Sequence, residues 1–182
     1  MTTWVCLVRG ANVGGSGKLA MADLRRAVES CGGRDVVTYV QSGNAVFDVA
    51  GAGSRKAEDD LAVRIGQALR DGTGFGGAVL VRSAGALARV VDANPFPGAT
   101  AAPTTLHVSF FADAPKATPP AAAAGAGERC DLHGRELYLL APDGLGRSRF
   151  AAALTRSEDF GAGTTRNWRT VTKLLGLAGD RS

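Results

Sequence analysis

Four short polar motifs in this chain combine residue types that hold anions. The first is NVGGSGKL (12–19), with Arg9 just before it. Gly14 and Gly15 stand ahead of a helical stretch, where successive glycines can aim several backbone N–H groups at one anion. Arg9 and Lys18 would add charge, and Asn12 a hydrogen-bonding amide. The alternative is that these glycines only make the turn. The loop departs twice from the triphosphate-binding pattern G-x-x-x-x-G-K-[ST]: Asn12 replaces its first glycine and Leu19 its magnesium-holding hydroxyl. The second motif is QSGN (41–44). It reads as a hairpin turn with Gly43 at positive φ, which leaves Gln41, Ser42 and Asn44 as polar companions. The third, PDGLGRS (142–148), joins a strand to a helix and sets Arg147 and Ser148 in the first turn, for capping or for anion contact. The fourth is TTRNWRTVTKLL (164–175), inside an amphipathic helix expected over 165–178. There Trp168, Val171, Leu174, Leu175 and Ala178 share one side, and Arg166, Arg169 and Lys173 the other. Trp168 reads as a core residue in preference to a base-stacking platform.

Other chemistries find less support. Cys6, Cys31 and Cys130 are an odd, widely spaced set without a CxxC, so neither a disulfide framework nor a cysteine zinc site is expected. Cys6, in a strand, and Cys31, at a helix end, read as small core hydrophobes. His107 and His133 have no carboxylate at ligand spacing, and no metal or cofactor is expected. No Ser-His-Asp or Cys-His arrangement is legible. Aromatic residues are only 6% of the chain, and no RNP, KH or zinc-finger signature is present.

The elements that must position these motifs follow from composition and periodicity. The chain has 182 residues, 45% apolar and 21% charged, which suits one globular domain or two small ones. Its 25 glycines and many alanines read as compositional bias and carry little weight. The N-terminus lacks a basic region before its apolar stretch, and no apolar run is long enough to span a bilayer, so a cytoplasmic protein is expected. Residues 147–182 hold seven Lys/Arg against three acids, which accounts for the whole net charge of +4. That is the footprint of a phosphate-bearing partner or of a solvated helix face.

Residues 3–8 are almost continuously apolar and suit a central strand. Helical composition follows at 20–30, then a hairpin over 36–40 and 43–49. Ser54 is placed to cap a helix whose Leu61, Ile65, Ala68 and Leu69 make one buried stripe. A strand at 78–82 and a helix stopped at Asn94-Pro95 complete the first half. The order matches a split βαβ, or ferredoxin-like, unit. The segment 96–103 is a turn-rich connector. The second half repeats much of the order, with strands at 105–111, 129–132 and 136–141, although 119–127 is low-complexity and specifies neither helix nor loop. The expected fold is therefore α+β: duplicated ferredoxin-like units at 1–95 and 104–182, with antiparallel sheets and helices packed on one face. In a split βαβ unit the first two strands run parallel. The loop at 9–18 and the turn at 41–44 should then meet at one end of the sheet.

Together the stretches LVRGANVGGSGKLAMADLR, TYVQSGNAVF, VLVRS, NPFP, LHVSFF, LYLLAPDGLGRS and TTRNWRTVTKLL resemble the bacterial family called domain of unknown function 1697. The match runs almost end to end, and the alanine-rich stretch 117–127 departs from the family pattern. The resemblance implies a small cytoplasmic α+β protein and no particular activity. Its recurrent polar positions fall on Arg9, Gly10, Asn12, Gly14, Gly15 and Lys18, on Gln41, Ser42, Gly43 and Asn44, on Gly146, Arg147 and Ser148, and on Thr164, Arg166, Asn167 and Trp168. The leading expectation is a protein that binds a phosphorylated or otherwise anionic ligand, a nucleotide or a nucleic-acid strand. The rivals are an enzyme acting on a small anionic metabolite, and an interaction or oligomerisation module.

Overall fold

A computed structural model of the chain describes residues 1–13, 17–119 and 127–181. Gly14, Gly15 and most of the low-complexity stretch lie outside the described residues. The chain divides into two compact units, Met1–Arg89 with Leu174–Ser182, and Val90–Lys173. This differs from the division at 96–103 drawn from composition. The boundaries fall inside two helices, and the last residues group with the first unit.

The first unit contains β1 (Thr2–Val8), α1 (Met21–Ser30), β2 (Arg34–Thr38), β3 (Asn44–Val49), α2 (Arg55–Thr73) and β4 (Val79–Ser83). Its sheet has the order β2-β3-β1-β4, with every neighbouring pair antiparallel. β1 and β2 therefore run parallel with β3 between them, the split βαβ arrangement. Trp4, Cys6 and Val8 alternate along β1 onto the face covered by the helices. There they meet Phe47 and Val81 from the sheet, Leu24 and Val28 from α1, and Leu61, Ile65 and Leu69 from α2. Val5 and Leu7, on the opposite face, are buried too, which explains the unbroken apolar run. Ser54 caps α2 by accepting from the Ala57 N–H at 3.2 Å. The helix ends at Gly74, whose φ of 72° is the left-handed conformation that terminates helices. Arg181 reaches back to this unit, donating to the Asp35 carbonyl and lying 3.5 Å from Asp48.

Beyond β4 come α3 (Ala84–Asp92), β5 (Leu106–Phe110), β6 (Arg129–His133), β7 (Glu136–Leu140), α4 (Arg149–Arg156), β8 (Thr164–Asn167) and α5 (Trp168–Gly179). The second sheet has the order β6-β7-β5-β8, again antiparallel throughout. β5 to β8 thus correspond one by one to β1 to β4. Phe111, Leu137 and Leu139 pack with Phe150, Leu154 and Phe160 in a core of their own. The fold is α+β with a duplicated ferredoxin-like unit.

The duplication is closest where each fourth strand enters a helix. β4 ends in Arg82-Ser83 and β8 in Arg166-Asn167, with a helix starting at the next residue each time. Ser83 Oγ accepts from the Ala86 N–H at 3.2 Å, and Asn167 Oδ1 from the Thr170 N–H at 2.9 Å. Each arginine sends Nη1 to the carbonyl just before it, at 3.1 Å for Arg82 and 2.9 Å for Arg166.

This geometry corrects the helix expected over 165–178. Residues 164–167 are strand, paired with β5, and the helix begins only at Trp168. β5 offers backbone donors and acceptors along its second edge, and the β-branched pair Thr164-Thr165 meets them in extended form. Arg166 consequently does not join Arg169 and Lys173 on an exposed stripe. It is 9% exposed, while those two lie on the surface.

Candidate functional site

Three segments of the first unit meet at one end of its sheet. The loop leaving β1 and the turn entering β3 are joined by Asn12, whose φ of 57° turns its side chain into both. Its amide donates to the Leu19 carbonyl at 2.7 Å and to the Gln41 carbonyl at 2.8 Å. Its Oδ1 accepts from the Leu19 N–H at 3.0 Å. The Val8 N–H reaches the Gly43 carbonyl at 2.7 Å. Gly43 is at φ 77°, and a Cβ there would lie 2.7 Å from Val8 Cβ and 2.8 Å from Ala11 Cβ. Only glycine permits this approach. Asn44 is fully buried and donates to the Tyr39 carbonyl and to Ser42 Oγ, both at 3.0 Å. Asn12, Ser42 and Asn44 therefore have structural partners here, while Gln41 is exposed.

The third segment connects α2 to β4. The Arg9 N–H donates to the Ala78 carbonyl at 2.8 Å and ties this connection to the start of the glycine loop. Between them opens a cavity of about 450 Å³, lined by Arg9, Gly10, Gly17, Lys18, Thr73, Gly74, Phe75, Gly76 and Gly77. Among the described residues, five of the nine that line it are glycine, and the two charged ones are both cations. Phe75 forms the floor and belongs to the core beneath. A Cβ at Gly77 would strike the Phe75 ring and lie 2.5 Å from the Arg9 carbonyl. The backbone of this connection can lie against Arg9 only because residue 77 has no side chain.

Sequence reasoning missed Thr73–Gly77. The signal was present in GTGFGG (72–77), four glycines in six residues from the end of α2 into the connection to β4. Discounting glycine as bias hid it. Topology would have recovered it: β4 runs antiparallel to β1, so its first residue must lie where β1 ends.

The remaining expected residues lie in the second unit. Arg147 is exposed in a 3₁₀ turn, Leu145–Arg147, ahead of α4 rather than in its first turn. Ser148 is buried and caps α4, accepting from the Ala151 N–H at 2.8 Å. Asn167 caps α5. Trp168 is buried, as a core residue should be. Burial, with the Asp131 charge in support, pushes the Cys130 thiol up, so it stays protonated at neutral pH. Among the described residues no three His, Cys, Asp or Glu side chains gather as a metal would need, and no helix is long and apolar enough to cross a membrane.

Two ferredoxin-like α+β units, the first with a cationic, glycine-lined cavity at the end of its sheet, define the class of protein. The chain belongs to the family described as protein of unknown function (DUF1697), which matches residues 1–138. Its fold is similar to that of the conserved bacterial protein SP0830 from Streptococcus pneumoniae, with a TM-score of 0.71 at 18% identity over 97% of this chain and 98% of that one. No curated protein matches the chain.

Proposed function

We propose that the first unit holds a phosphate-bearing or otherwise anionic ligand in the cavity beside the glycine loop. The observation that carries this reading is the lining itself: Arg9 and Lys18 as its charged side chains, with glycines leaving the backbone open around them. Arg9 would take anionic oxygens in a planar fork and Lys18 as a point charge. The C-terminus of α2 opens on the same cavity, and its dipole opposes an anion by about 0.3–1 kcal/mol. Charge-assisted hydrogen bonds of about 1.5–3 kcal/mol from each of two cations outweigh it. With a few backbone N–H contacts added, Kd falls between about 1 mM and 1 μM. Arg147 and Arg166 are not needed for this site.

The test is thermal unfolding at low salt with inorganic phosphate, phosphosugars, nucleotides and short oligonucleotides. A ligand at about 100 times its Kd adds about 2.7 kcal/mol. For a chain of this length that raises Tm by roughly 5–10 °C. Arg9→Ala and Lys18→Ala should each remove most of the shift, and Arg147→Ala should leave it intact. A shift that survives both cavity substitutions and disappears in Arg147→Ala would move the site to the second unit and overturn the proposal.

A further inference from the structure

Resting on that reading, we infer that the cavity recognises the phosphoryl group itself and does not read what the group is attached to. Its ligands would then be phosphate and diphosphate esters of small molecules, taken with or without a nucleobase. Thr73 and Asn12, neutral hydrogen-bonding side chains at and beside the cavity, are already used within the fold.

Thr73 carries the one hydroxyl among the described lining residues. It donates to the Leu69 carbonyl at 2.7 Å and accepts from the Phe75 N–H at 3.2 Å. A hydroxyl has a single hydrogen, so no donor is left to address a base edge. Asn12, the nearest amide on the loop, spends both amide hydrogens and its oxygen within the loop and the adjoining turn. Discrimination among neutral groups needs polar side chains that the wrong ligand would leave unpaired. Both candidates here are paired already.

Stacking is closed off in the same way. Phe75 is the aromatic residue of the lining, and it is only 7% exposed. Gly17 and Gly77 both lie against its ring. A base needs an open aromatic face on which to lie, and this ring is floor. Among the described lining residues what remains is two cations and backbone, chemistry suited to phosphoryl oxygens. A volume of about 450 Å³ would admit a nucleotide, so the discrimination expected is chemical and not steric.

The experiment is calorimetric titration of the full chain at low salt with pyrophosphate, ADP, CDP and adenosine. Pyrophosphate, ADP and CDP should bind within about threefold of one another, and adenosine should give no heat. Arg9→Ala, a surface substitution, should weaken all three by a common factor of about ten or more. Binding of adenosine, or ADP held more than about tenfold tighter than CDP, would show that the base is read. That outcome overturns this inference and leaves the anion cavity standing. If none of the three phosphates binds, or if Arg9→Ala binds them as the parent does, the cavity reading fails and this inference fails with it.

Discussion

The two sheets close their second and third strands differently, although the strand order is the same. In the second unit the turn between β6 and β7 is two residues long, and Gly134 sits at φ 58° with nothing near the place a Cβ would occupy. It is a two-residue hairpin turn, tied to the end of β5 by the Phe111 N–H, which donates to the Arg135 carbonyl at 2.9 Å, but with room around its glycine. In the first unit the connection from β2 to β3 is longer. Gly43 is pressed between Val8 and Ala11, and Val40 is held at φ 49°, a conformation that β-branched residues rarely adopt. The difference lies in what each turn must touch. The β2–β3 turn is part of a wall built with the β1 loop, and the cavity adjoins that loop. A fold can thus repeat its topology while one copy becomes crowded and strained, and that crowded end is where a site is expected.

Substitutions at these two glycines give the largest expected effect. Gly134→Ala meets only the left-handed penalty, about 1–2 kcal/mol. Gly43→Ala meets that penalty and the overlap with two packed side chains, which adds about 1–3 kcal/mol. Thermal unfolding should drop by a few degrees for Gly134→Ala and by about 10 °C or more for Gly43→Ala. Equal shifts would break the comparison.

A middle-sized effect concerns pH. The strand ladders align His107 of β5 with Trp4 of β1, since the former pairs with Asn167 and the latter with Ser83. Burial holds the His107 imidazole below its ordinary value, opposed in smaller measure by a hydrogen bond with the Thr105 backbone. The unfolded chain takes up this proton first as pH falls, so folding loses stability from about pH 6.5 downwards. The loss is at most about 1.4 kcal/mol per pH unit. The Trp4 position has no such dependence. Urea unfolding between pH 7 and 5 should show a steeper decline for the parent than for His107→Phe. Parallel curves would remove His107 as the cause.

The smallest effect tests the duplicated helix caps. Ser83→Ala and Asn167→Ala should each cost about 1 kcal/mol. Denaturant midpoints shifted by matching amounts would support equivalence of the two strand-to-helix junctions. A loss confined to one of them would reduce the equivalence to geometry.

Much of the first unit was legible along the chain. The apolar run at 3–8, the Leu61, Ile65 and Leu69 stripe and the capping Ser54 each carry a local signature, and each took the form expected. The meeting of the Asn12 loop with the Gln41–Asn44 turn followed from the parallel relation of β1 and β2. β8 was not legible. Four residues, Thr-Thr-Arg-Asn, are too short to display a period, and they run directly into a helical pattern that absorbs them. The cap at Ser148 was legible as one of two readings, and the hydrogen bond it accepts from the Ala151 N–H is present.

The sequence by itself determined the buried run of β1, the buried stripe and cap of α2 and that two similar α+β units would form, because apolar pattern and capping act over a few residues. Tertiary structure alone decided that Arg166 is buried in a strand and that Gly77 closes against the Phe75 ring and the Arg9 carbonyl. Both depend on which strand edges pair across long separations. That pairing is made by backbone hydrogen bonds between residues far apart in the chain, so a strand as short as β8 carries little sign of it in its own residue types.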